Sequence, residues 1–418
     1  MKRLEDFNIR SKKPWEVEGV EWREVRLKDL ISKEKYEVGK VQVRNGLAES
    51  GEIPVIDQSQ ELIRGYLNNE ELKYRGPLPL IIFGDHTKII KFIDFPFIVG
   101  ADGVKILIPN KDILYSKYFY WVLRKVKLPD RGYARHFKFL KQATYLLPFR
   151  NDKPDLETQK KIVEYIEANF SRIDEILEKK KKELEQLDEL LESVLEHAFK
   201  PKEGEEWREV RLKEVVKEVK SGFALSKRKR MKLSSEDGIP QLRPYNIANW
   251  NKIDLSQMTY VPMNMEGIED YFIRVDDVLF NNTNSIELVG RAAVFKESSG
   301  KYTYSNHITR LRVRDLYFPE YISWAINSLW LKGVFYLKAT KWIGQAGISN
   351  KKLLSIKIPL PFRNNQPNIE KQKEIASYLD SVYEKIKALK EMVYNQITQL
   401  EEMKESILDG VFNHDKNR

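Results

Sequence analysis

Cysteine is absent from all 418 residues, which excludes a disulfide framework, thiolate-held metals and cysteine nucleophiles. A reducing cytoplasm is the expected compartment. Histidine is scarce: the five are His86, His136, His197, His307 and His414, and no two stand at ligand spacing. No uncharged apolar run reaches the roughly 18 residues a membrane span needs. The opening Met1-Lys2-Arg3-Leu4-Glu5-Asp6 has no apolar signal core, so a soluble protein that is not exported is expected. No Pro-Pro pair occurs, which removes the Asn/Asp-Pro-Pro-aromatic motif that amino-methyltransferases place at the target base. A glycine-rich dinucleotide turn and a phosphate-cradling loop ending in Gly-Lys-Ser/Thr are missing as well. Nuclease carboxylate clusters are too loosely patterned to exclude by sequence, but none stands out. No catalytic residue and no metal site is assigned.

What is present is positive charge and repetition. Lys+Arg 72 against Asp+Glu 62 leaves a net charge of +10, which favours a polyanionic partner without naming it. The string Glu21-Trp22-Arg23-Glu24-Val25-Arg26-Leu27-Lys28 returns as Glu206-Trp207-Arg208-Glu209-Val210-Arg211-Leu212-Lys213, and Leu147-Pro148-Phe149-Arg150-Asn151 returns as Leu360-Pro361-Phe362-Arg363-Asn364. A repeat this long means two similar domains built on one plan. The offset between copies grows from 185 at Trp22 and Trp207, through 197 at Phe83 and Phe280 and 203 at Trp121 and Trp324, to 213 at Pro148 and Pro361. The second copy therefore carries 28 extra residues (213 − 185), and insertions of this kind fall in loops, where binding differences reside.

Within each copy, short apolar runs bounded by Gly, Asp and Pro predict strands: Leu78 to Phe83, Phe97 to Val99 and Val104 to Ile108, then Val278 to Phe280 and Ile308 to Val313. Helices are predicted from Tyr115 to Lys125 and from Tyr321 to Leu331. Each globular part is thus mixed α+β, and Trp22 and Trp207 are read as core residues. Each copy closes with apolar positions alternating steps of four and three, the seam of a coiled coil. In the first the seam runs from Gln159 to Ala198 through Leu177, Leu184, Leu187 and Leu191. In the second it runs from Gln372 to Val411 through Ile386, Val393, Ile397 and Leu400, flanked by Ile375, Val382, Leu389 and Met403. A helix of about 44 residues is roughly 65 Å long and cannot bury such a stripe alone. The other copy is the nearest partner, giving an intramolecular antiparallel coiled coil; pairing with another chain is the alternative. The breaker-rich Lys200-Pro201-Lys202-Glu203-Gly204-Glu205 ends the first helix. The expected domains are 1–154, a helix at 155–200, a second globular domain at 201–367, and a second helix with its tail at 368–418.

This order of domain, helix, domain, helix resembles the specificity subunit of type I restriction-modification enzymes, with its two target-recognition domains. Pro54-Val55-Ile56-Asp57-Gln58, Ile82-Phe83-Gly84-Asp85-His86-Thr87 and Gly100-Ala101-Asp102-Gly103-Val104 resemble one subclass of target-recognition domain. Asn281-Asn282-Thr283-Asn284-Ser285, Leu288-Val289-Gly290-Arg291 and Ser305-Asn306-His307-Ile308 resemble another. Leu147-Pro148-Phe149 and Ile358-Pro359-Leu360-Pro361, each followed by a helical Gln (Gln159, Gln372), resemble the family's domain-to-helix junction. The resemblance implies a non-catalytic subunit that reads a bipartite, asymmetric site on double-stranded DNA, one half per domain, and recruits methylase and restriction subunits through its helices. S-adenosylmethionine, ATP and Mg are then expected on those partner subunits, and none on this chain. The rival readings are a coiled-coil interaction protein and a stand-alone bipartite DNA-binding regulator.

Candidate DNA contacts cluster at homologous places. Arg131, Arg135, His136 and Lys138 crowd the segment before Pro148, while Lys338, Lys341, Gln345, Ser349, Asn350 and Lys351 crowd the one before Pro359. Lysines suit phosphates, and Arg, Gln, Asn or Ser suit base edges; a solvated basic face is the other reading. Lys227, Arg228 and Arg230 belong to a basic run that resembles a phosphate-gripping arm. Asn282 and Asn284 follow a strand and offer amides to adenine, or else stabilise a turn by local bonds. Asp85 beside His86 invites a metal or acid-base reading, but a turn holding a satisfied buried Asp is preferred.

Overall fold

The computed structural model describes residues 13–34, 36–42, 46–100, 103–129, 132, 134–225, 238–247 and 250–412. The chain divides into two compact units, Met1–Lys180 with Asn395–Arg418, and Lys181–Tyr394. Among the described residues no helix is long and apolar enough to cross a membrane.

The two repeated strings are strand partners. Glu21–Arg26 runs antiparallel to Thr144–Arg150 with Trp22 opposite Pro148, and Glu206–Arg211 runs antiparallel to Lys357–Arg363 with Trp207 opposite Pro361. Each closing strand then turns back on itself to pair with Lys153–Pro154 or Gln366–Pro367. The turn residues have positive φ, +49° and +63° at Asn151 and Asp152 and +51° and +64° at Asn364 and Asn365. A tight hairpin needs this left-handed pair to follow the strand twist, and Asn and Asp tolerate it better than other side chains. The arginine of each opening string spans the turn: Arg23 Nη2 donates to Asp152 Oδ1 with its guanidinium 4.8 Å from the Phe149 ring, and Arg208 does the same to Asn365 and Phe362, at 4.4 Å from the ring. Trp22 and Trp207 are half-buried and pack against the edges of the two cores.

In the first unit the predicted strands appear as Leu80–Gly84 between Ile90–Ile93 and Val104–Leu107, all antiparallel. Ile98–Gly100 lies in a second sheet between Lys40–Val41 and Pro54–Ile56. In the second unit Ile308–Val313 and Val278–Asn281 are the inner strands of a four-stranded sheet edged by Val216–Ser221 and Ala292–Val294. The predicted short helices are Ser116–Lys125 and Pro319–Leu331. Each is pinned by a repeated tyrosine: Tyr118 Oη donates to the Leu146 carbonyl at 2.9 Å, and Tyr321 Oη to that of Pro359 at 2.7 Å. Burial without an acceptor would cost each hydroxyl about 1–3 kcal/mol.

The long helices are Leu156–Ala198, 43 residues, and Ile369–Phe412, 44 residues. Asp155 caps the first by accepting the Thr158 N–H at 3.0 Å, and Asn368 caps the second by accepting that of Lys371 at 3.1 Å. They pack antiparallel. The core of the first unit joins Val163, Ile166, Phe170, Ile173 and Leu177 of the first helix to Leu400, Ile407, Val411 and Phe412 of the second. In the second unit Leu191, Leu195 and Phe199 meet Ile375, Ala376, Leu379, Tyr383 and Ile386. Each globular core is therefore closed by the start of its own helix and the end of the other. Leu177, Leu191, Ile386, Val393 and Leu400 are buried, and Leu184, Leu187 and Ile397 are half-buried. Leu389, expected to widen the stripe, is exposed instead. Two seam lysines replace leucines of the aligned copy and are satisfied across the interface: Lys404 pairs with Asp174 in the first unit, and Lys390 with Asp188 in the second. The acids and the lysines are each fourteen residues apart, two heptads, and advance in opposite directions.

Candidate nucleic-acid interface

In the first unit the site starts where the strand Leu80–Gly84 ends. Asp85, 3% exposed, accepts the Phe137 N–H on Oδ1 at 2.8 Å, and its backbone carbonyl accepts the His136 N–H at 2.8 Å. The His136 imidazole lies 3.1 Å from the same carbonyl through Nδ1. Asp85 thereby fixes the start of the short helix Phe137–Gln142. That helix carries Lys138 and Lys141 on its exposed side, each ammonium resting over a phenylalanine ring at 4.9 and 5.3 Å, with Arg135 exposed just ahead of it. His136 is completely buried, so its assignment as a DNA contact is corrected: the ring positions the loop. Arg131 lies outside the described residues.

The second unit builds its site at the aligned place from different residues. Asn282 follows the strand Val278–Asn281, as Asp85 follows its own strand, and its carbonyl accepts the Ile348 N–H at 2.8 Å. Its amide donates to Thr309 Oγ1 at 2.9 Å and to the Asn306 carbonyl at 3.2 Å, and the side chain is buried. Asn350 opens the helix Asn350–Leu354, and its amide is engaged by Ser221 Oγ at 3.1 Å and Thr309 Oγ1 at 3.0 Å. Of the two readings of Asn282, base contact or local bonding, the structure shows the second, because a buried amide must satisfy its donors and acceptor within the protein; the half-buried Asn350, expected at a base edge, spends its amide on Ser221 and Thr309. Ser221 and Thr309, their partners, were not singled out from the sequence; a lone hydroxyl on a strand carries no signal of its own.

The remaining residues of this cluster converge. Asn284 pairs with Ala346 in a small sheet of Thr283–Asn284, Gln345–Gly347 and Thr340–Trp342. Gln345, Lys338, Lys341 and Lys351 are exposed around it, and among the described residues none of the three lysines pairs with an acid. Ser349 is exposed, but its hydroxyl caps the helix by accepting the Lys352 N–H at 3.3 Å. Asn284 is half-buried, with its side-chain oxygen accepting the Ser285 N–H at 2.8 Å. Lys220, at the root of the basic arm, is paired with Asp270 at 3.1 Å. Lys227, Arg228 and Arg230 lie outside the described residues.

The chain has no acid between Glu320 and Glu370, and a single one, Asp130, between Asp112 and Asp152. Both surfaces therefore lie in stretches with little or no negative charge of their own. Behind the second lies a compensated ion cluster: Arg310, 1% exposed, and Arg312 share Glu218, and Arg312 Nε donates to Asp277 at 2.9 Å. Burial raises the Asp277 carboxyl. Burial also acts upward on Glu218, but the bonds and charges of Arg312 and Arg310 outweigh it and hold its pKa below the ordinary value. Among the described residues no group of three His, Asp or Glu side chains could hold a metal ion.

A model of the type I restriction modification DNA specificity domain matches residues 19–186 and again 204–399. The type I restriction enzyme MjaX specificity subunit of Methanocaldococcus jannaschii is 26% identical over 232 residues, 54% of this chain and 52% of that protein. The EcoR124I/EcoR124II specificity subunit of Escherichia coli is 25% identical over 348 residues, 78% of each. The chain thus spans about half the length of the first relative and most of the second. A chain from a solved type I R-M system superposes with a TM-score of 0.68 at 19% identity, covering 94% of this chain and 97% of that one. With the specificity domain matched twice over most of its length, the chain belongs to the type I restriction-modification DNA specificity family.

Proposed function

We propose that this chain is the non-catalytic specificity subunit of a type I restriction-modification system, acting in the cytoplasm. It reads a bipartite, asymmetric site on double-stranded DNA, one half per unit, and recruits methylase and restriction subunits through its long helices. S-adenosylmethionine, ATP and Mg belong to those partners in this reading, and none to this chain. The observation that carries it is one scaffold built twice, each copy presenting at the same place a short helix with exposed lysines, Lys138 in one and Lys351 in the other. The loops around those helices differ, as they must if two different sequences are read.

The test is to co-express the chain with its modification subunits and map the methylated adenines. A two-part motif with a fixed gap is expected. Exchanging the segment from Trp22 to Pro148 for a related domain should rewrite one half only. A change in both halves, or in neither, would sink the modular reading. A chain that binds duplex DNA but directs no methylation would be a stand-alone regulator.

A further inference from the structure

The hairpin of the second unit exposes a large apolar tip. Trp342 faces Gln345 across a two-residue loop of Ile343 and Gly344, whose φ of +75° permits the tight turn. Trp342 is 58% exposed and Ile343 is fully exposed, and Leu337, a few residues earlier in the chain, is 80% exposed. Such a patch gains free energy only when something covers it.

The surroundings indicate what does. Lys338, Lys341 and Lys351 stand exposed around the tip in the acid-free stretch, so the cover is polyanionic. The tip is also held in place. The indole lies against Gly347, where an added Cβ would come 2.9 Å from Cζ3. Lys352 Nζ ties the hairpin base by donating to the Lys338 carbonyl at 2.9 Å and to Thr340 Oγ1 at 3.1 Å. A side chain fixed in advance loses little entropy on binding. Finally, the hairpin falls where the offset between the copies grows from 203 to 213, ten residues that the first copy lacks.

We infer that Trp342 and Ile343 form an apolar wedge that enters the DNA between two base pairs, opens that step and bends the duplex at the half-site of the second unit. The inference rests on the DNA-reading function proposed above. Apolar wedges between base steps unstack and kink duplexes; here the flanking lysines take the phosphates and the indole offers its face to a base. Opening a step is easiest at pyrimidine–purine sequences, so the wedge adds sequence preference at a position that no side chain hydrogen-bonds.

The experiment uses the full chain assembled with its modification subunits on a duplex carrying the mapped motif, with 2-aminopurine placed at successive positions. The wild type should raise fluorescence at one step in one half-site. Trp342→Ala should abolish that rise and weaken binding roughly ten- to hundred-fold; Trp342→Phe should restore most of both. Lys351→Ala should weaken binding yet keep the rise. The Trp342 side chain is largely exposed, so equal unfolding midpoints are expected for all variants. Unchanged fluorescence and affinity in Trp342→Ala would overturn the wedge. So would loss of the modification subunits with the DNA signal intact, which would make the tip a protein-docking surface. A wild type that binds the motif without unstacking any step defeats the wedge alone, whereas one that does not bind the duplex defeats the DNA reading as well.

Discussion

The side-chain oxygen of Gln159 accepts the backbone N–H of Tyr115 at 2.8 Å, clamping the loop before the helix Ser116–Lys125 onto the first turn of the long helix. Gln372 makes the same bond to Phe318 at 2.9 Å. Both glutamines are completely buried. The Gln159 amide also donates to the Ile113 carbonyl at 3.0 Å, whereas the Gln372 amide nitrogen has no partner among the described residues. Gln159→Leu should therefore destabilise by about 1–3 kcal/mol for each backbone group left unpaired, and Gln372→Leu by less. Equilibrium urea unfolding of the two variants checks the order.

The caps of the long helices differ in one respect that pH can reveal. Burial acts upward on the Asp155 carboxyl, but the Thr158 N–H and hydroxyl and the Arg150 guanidinium outweigh it, so its pKa is held below the ordinary carboxylate value. A depressed folded-state pKa contributes stability above the unfolded value of about 3.9, and that stability is lost as pH falls through the folded value. Asn368 at the matching cap does not titrate. Protection of the amides at the start of the first helix, measured against the unfolded chain at the same pH, should fall in acid while that at the start of the second changes less, and Asp155→Asn should flatten the difference. At neutral pH Asp155→Ala should cost about 0.5–2 kcal/mol.

Leu400 is completely buried in the seam and Leu187 is half-buried. Leu400→Asp places an unpaired carboxylate in a dry contact and should cost roughly 3–5 kcal/mol. Leu187→Asp should cost less. Thermal unfolding and capture of the modification subunits should fail together in the first variant, and a Leu400→Asp chain as stable as the wild type would contradict the packing.

Lys138→Ala and Lys351→Ala should weaken binding to all sequences and reduce the salt slope by about one each, leaving specificity intact. Arg135→Ala and Gln345→Ala should relax one half-site each, by roughly 1–3 kcal/mol per lost bidentate contact. Asn350→Ala is expected to behave differently. Its amide holds Ser221 and Thr309, so it should lower thermal stability and disturb the whole loop. Binding isotherms on duplexes with single base changes separate these patterns.

The helices and their antiparallel seam were legible because a stripe spaced by threes and fours must be covered, and the chain offered two of equal length. The strands Leu80–Gly84, Ile98–Gly100, Val104–Leu107, Val278–Asn281 and Ile308–Val313 were legible as short apolar runs, whereas Glu21–Arg26 and Glu206–Arg211, mostly charged, were legible only as a repeat and not as strands. What the sequence left open was direction: Asn350 and His136 looked like contacts because they are polar and near lysines, Asn282 was open to either reading after its strand, and polarity does not tell whether a side chain faces the solvent or satisfies a buried turn. Asp85, by contrast, was read as a satisfied turn residue, and the structure gives it that place. Trp342 was not singled out, although it lies in the sequence between the candidates Lys341 and Gln345; its exposure depends on a hairpin whose two-residue loop, Ile343 and Gly344, lacks the usual Asn-Gly signature.

Because Leu400, Ile407, Val411 and Phe412 complete the core of the first unit, the first unit is finished by residues translated only after the whole of the second. Until then Tyr118, which packs 5.6 Å from the Phe412 ring, has no cover on that side, and the nascent first domain presents a sticky apolar face for as long as the second takes to be translated. Premature termination anywhere before residue 395 should therefore damage both halves of the protein, yielding aggregation and chaperone capture in place of an intact single reader.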